Sequence, residues 1–437
     1  MKPINVGLLG IGTVGGGTFA VLERNRAEIS RRSGVAIAIS VVADKDLARA
    51  NSIVQGRAKV IDDAFAVVDN PDIDIVVELI GGTGVSKQLI LKAISNGKHV
   101  VTANKALLAQ HGNEIFAAAQ KKGVMVAFEA AVAGGVPIIK SLREGLAANR
   151  IEWIAGIING TSNFILSEMR DKGASFNDVL KQAQQLGYAE ADPTFDIEGV
   201  DAAHKLTIMA AIGFGIPMQF ASAYTEGISK LTREDIRYAE ELGYRIKLLG
   251  ITRRKPNGIE LRVHPTLIPT RRLIANVEGV MNAILVKGDA VGQTMYYGAG
   301  AGAEPTASAV VADLIDVART MTADPEHRVP HLAFQPDQLS NVPILPMGEV
   351  ETSYYLRMRV QDKPGVLADI TRILADLGIS IDAMVQKEPH AGEDQVNIIM
   401  LTHQTVEKHV NAAITKIEAL PVVAGAVTRI RLETLDQ

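Results

Sequence analysis

The chain has 437 residues, enough for two or three domains that each bury a core. Its 45 Lys and Arg against 49 Asp and Glu leave a formal net charge of −4, so no basic excess exists to neutralise phosphates and nucleic acid is excluded as the main partner. Cysteine is absent, which excludes disulfides, thiolate metal sites and cysteine nucleophiles.

Read in chain order, residues 1–130 alternate apolar, β-branched runs with segments of helical period. Strands are predicted at Asn5–Leu9, Ala36–Ala43, Ile73–Ile80, His99–Thr102 and Val124–Phe128, with helices such as Lys87–Asn96 and Leu107–Lys122 between them. Uninterrupted apolar strands separated by helices imply an α/β, doubly wound parallel sheet covered on both faces. Pro3–Leu22 lacks charge over the length of a membrane span, but its six glycines oppose a helix by about 1 kcal/mol each. That stretch reads as a strand and a glycine-rich turn, so no membrane partner is predicted and a cytoplasmic chain is expected.

Residues 131–299 read as an α+β domain with one open sheet. Helices are predicted at Ala133–Leu146, Asn177–Leu186 and Ala202–Phe214, and strands at Ile151–Ile158, Lys247–Thr252, Glu260–Pro265 and Ala283–Lys287. Gly298–Gly302 then opens a further helix that runs to Arg319. Five of the 17 prolines fall in 321–352, and residues 326–352 read as a linker. Residues 353–437 carry a βαββαβ pattern, a ferredoxin-like module with helices on Val366–Leu377 and Val406–Ile417. The module holds no catalytic-looking cluster, so truncation near residue 350 is expected to leave catalysis intact.

Gly10-Ile-Gly12-Thr13-Val14-Gly15 is a G-x-G-x-x-G that follows a strand and opens a helical segment, the context in which it cradles a dinucleotide pyrophosphate. Asp44, after the second strand, suits a ribose hydroxyl, while Lys45 beside it suits a 2′-phosphate, which leaves NAD and NADP both open. Thr102-Ala103-Asn104-Lys105 ends a strand on the ligand-binding side, where a lysine can meet a carbonyl or carboxylate. Ile158–Asn163 reads as a strand end and a capped helix. The segment from Gly187 to Lys205 is dense in acids and glycines. Asp201 and Lys205 are four apart, on one helix face; spacing alone favours a helix cap with a surface ion pair over an acid–amine pair set for aldehyde chemistry. His204 reads as a packing or surface histidine, and the Glu129–Val136 bend offers carbonyl oxygens to a hard cation.

Taken together these stretches resemble homoserine dehydrogenase over nearly the whole chain. The resemblance rests on Gly187–Lys205 with Asp192-Pro193, Asp196, Gly199, Asp201 and Lys205, together with Val77–Gly82, Thr102–Lys105 and Asn159–Asn163. It implies reversible reduction of aspartate 4-semialdehyde to homoserine with NAD or NADP, on the route to threonine, methionine and isoleucine. It implies Lys205 as proton donor, Lys105 orienting the reacting group or assisting proton transfer, and Glu190 and Asp201 holding the small-molecule substrate. It places Gly10, Gly12, Thr13, Val14, Gly15, Asp44, Ala103, Lys105 and Gly302 at the cofactor, so that 300–325 returns to complete the 1–130 nucleotide-binding domain around the inserted 131–299. It implies a sodium site at Glu129, Val132, Gly134 and Val136. Residues 353–437 resemble an ACT domain, whose turn at Asp362–Gly365 would take an amino-acid effector, threonine foremost, in a homodimer or homotetramer. The related aldehyde-oxidising chemistry needs a cysteine and is excluded; a dinucleotide-binding amino-acid sensor without catalysis is the rival from another class.

Overall fold

The computed structural model describes residues 3–387 and 394–435. Six short apolar strands, β1 (Ile4–Leu9), β2 (Ile37–Ala43), β3 (Lys59–Ile61), β4 (Ile75–Glu78), β5 (His99–Thr102) and β6 (Val126–Ala127), form a sheet in the order β3-β2-β1-β4-β5-β6. Every neighbouring pair is parallel. Both faces are covered: Val6, Leu8, Ile75 and Val77 point into one core, and Leu9 and Val76 into the other. The helix Ala303–Thr320 returns to this layer, packing so closely on the helix Thr13–Arg24 that a Cβ on Gly17 would lie 2.5 Å from the Ala303 carbonyl oxygen. Among the described residues no helix is long and apolar enough to cross a membrane.

The next strands are β7 (Ile151–Ile157), β8 (Tyr224–Thr225), β9 (Tyr244–Lys255), β10 (Gly258–Pro269), β11 (Met281–Gly288) and β12 (Gly292–Ala299). They are followed by β13 (Glu351–Gln361), β14 (Ile381–Gln386), β15 (Gln395–Thr402), β16 (Thr405–Val406) and β17 (Val423–Leu432). Nine of them run edge to edge in the order β12-β11-β7-β9-β10-β17-β13-β15-β14, with β8 on β10 and β16 on β13. The C-terminal βαββαβ module has its own core around Leu356, Ile370, Met400 and Val410.

Two expectations are corrected here. Ala133–Leu146 is not one helix. A 3₁₀ turn at Glu129–Ala131 is followed by Ala133 and Gly134 at φ +53° and +35°, then Pro137, a single turn at Ile138–Lys140 and a π-turn at Ser141–Gly145. The left-handed pair and the proline interrupt the backbone ladder, and the Ile139 and Lys140 N–H groups donate instead to the Glu129 carboxylate at 2.9 and 2.8 Å. Nor is the C-terminal module merely appended behind a linker. Its last strand pairs in parallel with β10, Thr266 opposite Arg431 and Leu267 opposite Leu432. At the joint Arg262 donates to Glu433 at 2.5 Å and Glu260 at 2.9 Å, and Arg431 donates to Glu407 at 2.5 Å and Glu226 at 2.9 Å. Both guanidiniums are buried. The stretch before the module is tied down too: Leu332 is buried and Ile344 bridges to Ile259.

Candidate active site

At the end of β1 the chain turns through Gly10, whose φ is +88° and whose Cβ would lie 2.9 Å from the Leu79 carbonyl oxygen. A Cβ on Gly15 would lie 2.1 Å from the Gly10 carbonyl oxygen, so only glycine lets helix and turn close on each other. The helix starting at Thr13 and Val14 has Gly12 as N-cap with no side-chain cap, which leaves its first N–H groups for an anion. This cradle fits a dinucleotide pyrophosphate. Asp44 lies against it: one carboxylate oxygen accepts from Ile11 N–H at 2.7 Å and the other from Asp46 N–H at 2.9 Å. Lys45, the candidate for a 2′-phosphate, donates to the Asp62 carbonyl at 2.9 Å.

The ends of β4 and β5 are locked by a side chain whose part is not legible in the sequence. Glu78 is fully buried; its Oε1 accepts from Ile80 and Gly81 N–H at 2.9 Å each, and its Oε2 from the Thr102 hydroxyl at 2.8 Å. Asn104 caps the next helix through Leu107 N–H at 3.1 Å and reaches Gly82 O at 2.7 Å. Ala103 and Lys105 are thereby fixed on the ligand side of the sheet, Lys105 being the first residue of the helix Lys105–Lys122. An acid ending an otherwise apolar strand was the available signal.

Lys105 points at a cluster built by the second layer. Asp201 Oδ1 lies 2.8 Å from Lys105 Nζ, and Asp201 Oδ2 accepts from Lys205 Nζ and Asn159 Nδ2 at 2.8 Å each. Lys205 Nζ also donates to Ile158 O at 2.8 Å, so the residue that follows β7 fixes the amine. Asn159 caps the helix Gly160–Lys172 through Ser162 N–H and spans to Asp196 at 2.7 Å. The reading of Asp201 and Lys205 as a cap and surface pair is thus corrected. Gly199 is the N-cap of the helix Val200–Phe214, and Asp201 and Lys205 are 3% and 8% exposed. His204 is a packing residue between Phe195 and Phe220, lowered to about 4 by burial and so neutral.

Burial would raise the Asp201 carboxyl, but the ammonium groups of Lys205 and Lys105 overrule it and hold it well below the usual carboxylate range. Burial lowers Lys205 from its ordinary value, with Asp201 opposing that fall. Lys105 goes the other way: burial works against its charge, yet Asp201, Asp196 and Glu190 raise it. The cluster therefore joins one amine made readier to release a proton to a second held firmly cationic. Both line a cleft of about 370 Å³ with Asp196, Gly187, Asn282 and Gly302.

The structure brings Lys105, Asp201, Lys205 and Gly302 together, with Gly302 the N-cap of the returning helix. Glu190 is exposed and not among the residues lining the cleft, though its charge is felt by Lys105. The bend of Val132, Gly134 and Val136 lies behind the cleft wall, where Gly135 N–H donates to Ala299 O at 2.9 Å. Glu129 there is pushed up to about 7 by burial and by Asp313. Asp362 and Gly365 are in the C-terminal module, Gly365 at φ +95° as N-cap of Val366–Asp376.

A parallel sheet with a glycine cradle, opening onto a buried amine–carboxylate cluster, defines an NAD(P)-dependent oxidoreductase. Residues 10–129 match the family model described as homoserine dehydrogenase, NAD binding domain, residues 137–315 that of homoserine dehydrogenase, and residues 354–422 that of the ACT domain. A homoserine dehydrogenase of Pseudomonas aeruginosa is 63% identical over 437 residues, covering 100% of both chains. The crystal structure of a homoserine dehydrogenase from Thiobacillus denitrificans is 73% identical with a TM-score of 0.96, covering 100% of this chain and 99% of that one. A hyperthermophilic archaeal homoserine dehydrogenase in complex with NADPH is 25% identical with a TM-score of 0.63, over 74% of this chain and 99% of that one. The chain belongs to the homoserine dehydrogenase family, which sets aside the catalytically silent sensor.

Proposed function

We propose that the chain interconverts L-aspartate 4-semialdehyde and L-homoserine, serving threonine, methionine and isoleucine synthesis in the cytoplasm. The observation that carries this reading is the Lys105–Asp201–Lys205 cluster opening onto a cleft beside the glycine cradle. The cradle, with Asp44, Ala103 and Gly302, would hold NAD or NADP, which when bound supplies the hydride. As the aldehyde oxygen gains negative charge, Lys205 Nζ gives it a proton and leaves a hydroxyl. Lys105 orients that oxygen and keeps its positive charge near it. Asp201 acts through the two lysines it fixes, and Glu190 receives the substrate's ammonium. Consumption of NADH or NADPH by the purified protein with the semialdehyde tests this; no turnover with either cofactor overturns it.

A monovalent cation, sodium in the first instance, is proposed at Glu129 with the backbone oxygens of Val132, Gly134 and Val136. Support comes from the buried Glu129 carboxylate beside the backbone carbonyls of the bend, oxygen donors of the kind a hard cation takes. Among the described residues no group of three or more His, Asp or Glu offers an alternative metal centre. Replacing sodium by choline at constant ionic strength is expected to lower activity several-fold, with recovery on adding sodium back. Activity indifferent to the exchange counts against the site.

We also propose that the Asp362–Gly365 turn binds an amino-acid effector, threonine foremost, in a homodimer or homotetramer, with inhibition as the result. The ACT match and the turn's position at a helix start support this. A monomer by light scattering would overturn the oligomer.

A further inference from the structure

Asn282 is a polar side chain of the cleft that the chemistry above leaves unused and whose amide has no hydrogen-bond partner. Asn282, on β11, shares its face of the strand with Ile284 of the inner core, while Ala283 between them points to the outer one. It lines the cleft and is 1% exposed, and neither Oδ1 nor Nδ2 of its amide has a hydrogen-bond partner. An amide buried without partners destabilises a fold, and native proteins keep few of them. What lies over it is Gly300, where a Cβ would fall 1.9 Å from Oδ1 and 2.6 Å from Nδ2. Only a glycine lets the chain cross there, and two residues on that stretch becomes Gly302, which caps the helix packed on the cradle helix. Asn282 therefore sits on the cofactor side of the cleft.

The charged ends of an amino-acid substrate find charged partners in Lys105, Lys205, Asp196 and Glu190. Asn282 offers something different, a neutral donor beside a neutral acceptor. The nicotinamide ring carries the complementary group, a neutral primary carboxamide with one oxygen acceptor and one N–H donor. We propose that Asn282 binds the carboxamide of the nicotinamide, Nδ2 donating to its oxygen and Oδ1 accepting from its nitrogen. At Gly300 itself only backbone covers the amide, with no side chain between it and the cleft. The inference rests on the cleft being the nicotinamide end of the cofactor site.

The test is binding to the full-length protein without substrate. NADH and NADPH are titrated by their fluorescence, and the tighter of the two is compared with the matching ADP-ribose, which lacks the nicotinamide. Asn282→Ala is expected to weaken the dinucleotide roughly tenfold, a change of about 1.4 kcal/mol, and to leave ADP-ribose unchanged. Asn282→Asp, which keeps the shape and removes the donor, is expected to do the same and guards against a folding defect in the alanine variant. Unchanged dinucleotide binding in both variants, or equal weakening of dinucleotide and ADP-ribose, overturns the proposal. Because no semialdehyde is present, a wrong substrate assignment would show separately, as normal cofactor binding without turnover.

Discussion

Replacing Lys205 by alanine is expected to lower kcat for semialdehyde reduction by roughly 10²–10⁴-fold, the range for losing a positioned general acid. Cofactor binding should change little, because Lys205 lies on the helix Val200–Phe214 and not in the cradle. Its amine is fixed by Ile158 O and Asp201, and burial lowers its proton affinity from that of an ordinary lysine. Lys205→Arg should rescue poorly, since a guanidinium does not surrender its proton at working pH. Lys105→Ala is expected to impair orientation as well as charge, raising KM alongside a smaller fall in kcat. Steady-state kinetics on the three variants separate the roles. Near-normal kcat in Lys205→Ala with collapse in Lys105→Ala would transfer the donor's role to Lys105.

Ending the chain at residue 350 is expected to abolish a stable fold rather than yield an unregulated catalyst. Removing β17 strips β10 of its parallel partner at Thr266 and Leu267. Arg262 and Arg253 lose Glu433, Glu226 loses Arg431, and the buried Asp235 loses Arg357. Breaking one buried ion pair typically costs about 3–5 kcal/mol. Several together match the roughly 5–15 kcal/mol by which a domain is stable. Thermal melts of the truncated and full-length proteins check this, and a truncated protein melting with the full-length one would show the module to be peripheral. Regulation is better tested by Asp362→Ala in the full chain, where threonine inhibition should vanish with basal turnover unchanged. That inhibition corresponds to a coupling of about 1–3 kcal/mol. Undiminished inhibition in Asp362→Ala would place the effector elsewhere.

The parts of the fold that sequence makes legible are those whose pattern is local. The apolar runs at Val6–Leu9, Ile75–Val77 and Val100–Val101 read as buried parallel strands because both faces are covered and no polar alternation interrupts them. β3 has three residues and β12 is a half-exposed edge, so neither carries a run long enough to register. Arg429, Arg431 and Glu433 alternate as a solvent-facing strand would, yet Arg431 and Glu433 are buried against acids and bases from distant segments. The same limit applies at the site. Spacing puts Asp201 and Lys205 on one helix face, but their burial follows from Ile158 and Asn159, the two residues that follow β7. No motif marks Asn282, and the stretch that holds Glu78 does not show its role, because the significance of both lies in what the tertiary fold leaves them to bond.

The role proposed for Asp201 is to keep the buried Lys205 protonated for delivery. Burial disfavours the ammonium and Asp201 favours it, so removing the carboxylate's charge must lower the proton affinity of Lys205 further. The direct measurement is kcat for semialdehyde reduction against pH in the unmodified protein and in Asp201→Asn, which preserves shape. Reduction needs the protonated amine, so the rate falls as pH rises through the value for Lys205. The expected result is an alkaline limb displaced to lower pH in Asp201→Asn. A limb that stays in place, or moves to higher pH, would contradict the account.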